Sequence, residues 1–175
     1  MNQSPFSMSS EDLSLIAYFS ICGKMSLEQV ASFARHLKSQ TYKTGEYIFE
    51  YNHQENDHLF IILEGEVNIS ANLDSLGKHS VTMRSLGCGK VIGILSFIDG
   101  RKHRFSAKAS SPLRLAIITR KDFQHFKDKH PDISVLLLQY LIVAADDLAC
   151  EMLNKATDSL EYIHGMSNQK SGQSR

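Results

Sequence analysis

Val91-Ile92-Gly93-Ile94-Leu95-Ser96-Phe97-Ile98-Asp99-Gly100-Arg101-Lys102-His103-Arg104-Phe105-Ser106-Ala107 runs from a hydrophobic strand into a glycine, through a short apolar turn to a second glycine, and then into four bulky residues of which Arg101, Lys102 and Arg104 are cations. A glycine at each end of the turn lets the backbone approach a ligand where a side chain would stand in the way. Cations directly after the second glycine allow such a loop to hold a small anion. The candidate ligand-binding residues are therefore Gly93, Ile94, Leu95 and Ser96 at the turn, with Arg101, His103, Arg104, Phe105 and Ser106 beyond it.

Outward from this stretch the chain has the period of strands. From Thr41 apolar positions alternate, and turn residues recur at Gly45, Asn52–Asn56, Gly65, Leu73–Gly77, Gly87–Gly89, Gly100 and Ser110–Pro112. About eight short strands result, and strands this short with so many turns suit a jelly-roll barrel. The strongest, Leu59-Phe60-Ile61-Ile62-Leu63-Glu64-Gly65-Glu66-Val67-Asn68-Ile69, is apolar and then alternates across Gly65, which predicts a bend or turn within a hairpin.

Helical spacing brackets the strands. Leu13, Ile16 and Ala17, then Leu27, Val30, Phe33, Ala34 and Leu37, predict two short helices broken at Gly23, with Ser26 as a cap. Asp122 to Lys129 predicts one more, and Pro131 opens a final helix to about Ile163. The first half of that helix reads as buried all round. Its second half narrows to Ile142, Ala145, Ala149, Met152 and Ala156, a coiled-coil seam with Ile163 in the same register. That stripe fits either a homodimer through the C-terminal helix or packing on the chain's own barrel. The fold class is thus α+β, mainly β: an eight-stranded jelly-roll β-barrel with short N-terminal helices and a long C-terminal helix. Residues 1–10 are expected to be a flexible N-terminus, 11–163 the domain, including the helix at about 131–163, and 164–175 a disordered polar tail.

Composition narrows the function. The 175 residues, 42% of them hydrophobic, suffice for one well-packed domain with extensions. Lys plus Arg equals Asp plus Glu at 19 each, so no net field favours DNA or an anionic membrane, and any cationic site must be local. The longest apolar run, Val135 to Ala145, falls short of the roughly 18 residues of a membrane span, and Met1–Ser10 lacks the parts of a secretory leader. A soluble cytoplasmic protein without membrane contact is expected. Cys22, Cys88 and Cys150 have neither disulfide nor zinc spacing and read as reduced thiols. P-loop, GxSxG and HExxH motifs are absent, and His53, His58, Glu64 and Glu66 do not make a cupin metal motif, so neither an enzyme nor a metal site is expected. His53, His58, His125 and His130 read as surface residues.

Four separated pieces occur in one order: Thr44-Gly45-Glu46-Tyr47-Ile48-Phe49, then Leu59 to Val67, then Gly93 to Ala107, then Ile118-Thr119-Arg120-Lys121-Asp122-Phe123. Together they resemble the cyclic-nucleotide-binding domains of bacterial catabolite-activator-like regulators and of eukaryotic kinase regulatory subunits, over about residues 13 to 150. The resemblance implies that a cyclic phosphate sits at the start of the short helix after Gly93, held by backbone N–H groups and an arginine, while a glutamate after the first glycine takes the ribose hydroxyl. It also implies that ligand capture moves the C-terminal helix and signals to a separate regulated protein. The implied ligand is a cyclic nucleotide or another nucleotide. The winged helix-turn-helix of the bacterial regulators has no counterpart among the polar residues after the long helix, so DNA binding is not expected.

This chain departs from the pattern at both grips. Ile94 stands where the glutamate would be, and it can neither donate nor accept a hydrogen bond. His103 stands at the arginine position, Arg104 at the usual small residue and Phe105 at the next. An imidazole, with a reference pKa of about 6.5, is mostly neutral at pH 7 and holds an anion less well. A charge-assisted hydrogen bond contributes roughly 1.5 to 3 kcal/mol, so losing the glutamate alone weakens a cyclic nucleotide about 10- to 150-fold. Two readings stand: a stand-alone regulatory domain that senses a nucleotide or related anion and signals to a separate partner, or a ligand-free interaction and dimerisation module with a degenerate pocket.

Overall fold

A computed structural model describes residues 6–7, 11–12, 16, 24–52, 57–72 and 80–171. The elements, in chain order, are β1 (Phe6–Ser7), α1 (Leu27–Ala34), β2 (Lys38–Tyr42), β3 (Tyr47–Phe49), β4 (His58–Glu64), β5 (Val67–Asn72), β6 (Ser80–Leu86), β7 (Val91–Ile92), α2 (Ile94–Asp99), β8 (Ser106–Ala109), β9 (Leu113–Thr119), α3 (Arg120–Lys129) and α4 (Pro131–Ser171). Two antiparallel sheets form, one in the order β1-β2-β9-β4-β7 and the other β3-β8-β5-β6. From Lys38 to Thr119 there are eight strands, as the turn spacing predicts, arranged as two facing jelly-roll sheets.

The core explains why β4 is apolar on both faces. Phe60 and Ile62 point between the sheets and join Phe49, Val67, Leu86, Ile92, Ala107, Leu113, Leu115 and Ile117 in one cluster. Side chains alternate along a strand, so Leu59, Ile61 and Leu63 point the other way, and all three are buried as well. A second apolar layer contains the helices: Phe33 of α1 meets Phe126 of α3 at 5.6 Å between ring centroids, and Phe97 of α2 meets Phe123 at 5.4 Å. The α1 start is fixed by a capping box, in which the Ser26 hydroxyl accepts from the Gln29 N–H and the Gln29 side chain accepts from the Ser26 N–H.

Several expectations change. Gly65 does turn the chain, at φ +87°, but β4 and β5 lie in different sheets, so the turn is a crossover and not a hairpin. A methyl group there would lie 2.2 Å from the Pro112 carbonyl, which is why a bare backbone is needed at the crossing. Phe6–Ser7, within the stretch expected to be flexible, pairs antiparallel with β2, and the rest of residues 1–10 lies outside the described residues. The final helix continues to Ser171, past Ile163, and the tail expected to be disordered from 164 is helical to that point. Its first half is not buried all round: Ile133, Ser134, Leu137 and Leu141 form a buried stripe, while Val135 is 53% exposed. Aliphatic composition alone could not tell a one-sided helix from a fully enclosed one.

The chain divides into two compact units, Met1–Leu141 and Ile142–Arg175. In the second, Ile142, Val143 and Leu153 are 65%, 58% and 67% exposed. By length and composition Pro131–Glu151 is long and apolar enough to cross a membrane, which an unbroken-run count misses. Its face at Ile133, Leu137 and Leu141 is nevertheless buried in protein, and it carries the adjacent acids Asp146 and Asp147, whose transfer into lipid is costly. The expected first helix shows helical Glu11, Asp12 and Ile16; its Leu13 and Ala17, the break at Gly23, the thiol of Cys22, the turn residues 73–77, His53 and residues 172–175 lie outside the described residues.

Candidate functional site

The turn at Gly93 is built by sterics. β7 ends against β4, with Ile92 opposite Phe60, and Gly93 follows at φ +83°. A methyl group at Gly93 would stand 2.8 Å from the His58 carbonyl oxygen, so both the left-handed backbone and the close approach require glycine. One and a half turns of α2 follow, with the Phe97 N–H donating to Gly93 O at 2.9 Å. Gly100 closes the segment in the left-handed conformation, its N–H donating to Ser96 O at 2.9 Å.

Arg120 secures the C-terminal end of α2. This residue sits where β9 passes into α3, a junction set by Thr119, whose hydroxyl caps the helix by accepting from the Asp122 N–H at 3.0 Å. Its guanidinium donates from Nε to Phe97 O at 2.7 Å and from Nη2 to Ser96 O. A cation on exposed carbonyls complements the negative end of a helix. The Arg120 motif is visible in the sequence, but its partners lie more than twenty residues away, and only the fold reveals them.

The stretch from Gly93 to Ser106 forms a cassette, and His103 is buried inside it, at 5% exposure. Its Nδ1 lies 3.0 Å from the Ser96 hydroxyl, and its ring stacks on Phe49 with centroids 3.8 Å apart and planes 11° from parallel. The surrounding backbone holds it there: β3 pairs with β8, Tyr51 N–H donates to the Ser106 hydroxyl at 2.9 Å, and Asn52 N–H donates to His103 O at 2.8 Å.

The structure therefore gathers some candidates and disperses others. Ser96 and His103 come together, Ser106 is buried and takes the Tyr51 N–H, and Ile94 is buried at 8% exposure. Leu95, at 56%, faces outward, and Phe105 is half-buried. Arg101, Lys102 and Arg104 are exposed. Arg101 instead bonds Asp99: its backbone N–H donates to Oδ1 at 2.9 Å and its Nε to Oδ2. These contacts, the backbone N–H foremost, hold the Asp99 carboxyl below the usual carboxylate range. The basic run is exposed to solvent and contains one buried histidine. On α4, Ile142 and Ala149 are exposed and Ala145 is half-buried; the side chains of Met152 and Ala156 lie outside the described ones.

The remaining histidines and thiols are dispersed. His58 and His130 are half-buried, contrary to the surface reading; His130 Nε2 lies 3.1 Å from the Ser32 hydroxyl, and His58 Nδ1 lies 2.8 Å from Asp57. Among the described residues no group of three or more His, Cys, Asp or Glu is arranged to hold a metal ion. Cys88 and Cys150 are free and exposed.

A cleft of about 500 Å³ opens beside the cassette, between β2, β9 and β4 of the first sheet and β3 of the second. Nothing in the sequence singles it out, because its walls come from four strands spread over eighty residues. Tyr42, on its wall, has its hydroxyl pKa pushed up to about 12 by burial, with Glu46 adding to the effect.

The chain can now be compared with known proteins. The sequence pattern of the cyclic nucleotide-binding domain matches residues 39–130, more than half of the chain. No curated protein matches it. Among solved structures it is similar to a cyclic nucleotide-binding domain from Methylobacillus flagellatus, with 23% identity and a TM-score of 0.75 over 85% of this chain and 83% of that one. It is also similar to the regulatory subunit of a cAMP-independent protein kinase A from Trypanosoma cruzi bound to guanosine, with 22% identity and a TM-score of 0.65 over 84% of this chain and 49% of that one. Catabolite activator protein from Thermus thermophilus aligns at 21% identity and a TM-score of 0.61, over 82% of this chain and 62% of that one. Identities this low speak for the fold, but with two jelly-roll sheets, a glycine-bounded cassette and a pattern match that runs from β2 to the end of α3, the chain belongs to the cyclic nucleotide-binding domain family.

Proposed function

We propose that this chain is a regulatory domain that passes its state through α4 to a separate partner protein, and that its cassette keeps the family's backbone while having lost the grip on a cyclic phosphate. The observation that carries this reading is the internal cluster of His103, Ser96 and Phe49. The side chain at the arginine position is engaged with its own protein, Ile94 offers no partner for a ribose hydroxyl, and Arg101 is bonded to Asp99. An anionic ligand is left with the exposed Lys102 and Arg104, which water screens. A regulatory subunit described as cAMP-independent shares the fold, which supports a domain of this shape working without cyclic AMP.

Exposed Ile142, Val143 and Leu153 favour a second role, self-association along α4, with Ile142, Ala145, Ala149, Met152 and Ala156 as the seam of a homodimer. A thermal-shift series tests the first: a ligand at about 100 times its Kd adds about 2.7 kcal/mol, and cyclic AMP or cyclic GMP at millimolar concentration is expected to add far less. Sedimentation tests the second. Ala149→Arg is expected to convert a dimer to a monomer, and an unchanged sedimentation coefficient would reject the seam.

A further inference from the structure

We propose that the cleft between β2, β3, β4 and β9 is a second binding site, selective for a neutral planar nitrogen heterocycle of nucleobase or nucleoside size, and that the cassette feels its occupancy through Phe49. At about 500 Å³ the cleft falls in the range of small-molecule sites, roughly 300 to 1,000 Å³. No residue of the cassette from Gly93 to Ser106 lines it, so the site is distinct from the one Gly93 begins.

Its chemistry favours flat, uncharged ligands. Tyr42, Tyr47 and Phe60 contribute rings to the walls, and aromatic faces stack on any base because every base has a π-face. Charge on the wall is balanced between Lys38 and Glu50, and the Lys38 ammonium already lies 3.7 Å from Asp122, so no convergent cations select a phosphate. Gln40 supplies an amide with both donors and an acceptor, which matches the mixed edge of a purine or pyrimidine. The Tyr42 hydroxyl keeps its proton at neutral pH and can also donate.

The coupling has two contacts. Phe49 lines the cleft and stacks on His103 of the cassette at 3.8 Å. His58 also lines the cleft, and its carbonyl is the atom that a side chain at Gly93 would strike, at 2.8 Å. A ligand that shifts either residue therefore presses on the cassette directly, whatever the cassette itself binds.

Adenosine and guanosine titrated into the isotope-labelled full chain, followed by amide resonances, test the proposal. Saturable shifts are expected at Gln40, Tyr47 and Glu50, followed by His103. Tyr47→Ala, at a half-exposed ring, is expected to weaken binding about 5- to 150-fold, the range for removing one stacking ring. Gln40→Ala should weaken it about tenfold, and Lys127→Glu, exposed on α3 and outside the cleft lining, should leave it unchanged. No saturable shift up to the solubility limit of either nucleoside would overturn the proposal. So would binding that both cleft variants leave at the parent's affinity.

Discussion

The backbone of the cassette and its basic run lie side by side and behave in opposite ways. From Gly93 to Gly100 the chain is fixed by close approach to His58, by the turn of α2 and by the Arg120 guanidinium on the carbonyls of Ser96 and Phe97. From Arg101 to Arg104 the cations are exposed, Arg101 bonds the exposed Asp99, and His103 is held by Ser96 and Phe49 inside the protein. A backbone shape that many contacts determine survives the replacement of single side chains. A ligand grip resting on one glutamate and one arginine, as the resemblance implies for the family, would not.

Breaking the backbone first should have the largest effect. Gly93→Ala puts a methyl group 2.8 Å from the His58 carbonyl and forces alanine to a left-handed φ, and is expected to cost about 2 to 4 kcal/mol in denaturant unfolding. A cost within experimental error of zero would mean that the cassette relaxes freely. Arg120→Ala removes two charge-assisted bonds to the end of α2 and is expected to cost about 2 to 3 kcal/mol, with faster amide exchange at Gly100. Unchanged exchange there would show that Arg120 does not hold the helix.

Smaller effects sharpen the contrast. His103→Ala removes a stacked ring and leaves the buried Ser96 hydroxyl without its ring partner, for an expected cost of about 1 to 3 kcal/mol. If instead the variant is as stable as the parent, His103 is not a structural element of the cassette. The smallest effect is electrostatic. Asp99 has a depressed pKa in the folded protein, so its stabilisation of the turn is present above the ordinary carboxylate value of about 3.9 and fades as pH falls through the lower folded value. Asp99→Asn should flatten that part of the acid-unfolding curve, and identical acid curves for parent and variant would contradict the assignment.

Much of this was legible in the sequence, and the misses share one cause. The strands from Lys38 to Thr119 and the glycines of the cassette show through because alternation and φ demands are local properties of the chain. The pairing of Arg101 with Asp99 did not show, because a basic run has the same sequence pattern whether its cations face a ligand or a neighbouring acid. The place of His103 did not show either, since Phe49 lies 54 residues before it and meets it only through the pairing of β3 with β8. The crossing at Gly65 looked like a hairpin because a turn between two apolar runs has the same pattern whether the strands pair or part into separate sheets.

Isothermal titration of cyclic AMP into the parent protein and into the double variant Ile94→Glu, His103→Arg tests the contrast between backbone and grip most directly. The parent is predicted to show no binding tighter than about 10 μM, and the double variant, which restores both grips on an intact backbone, to bind at least 10-fold more tightly than the parent. Saturable binding to the parent with a Kd below about 10 μM would contradict the account.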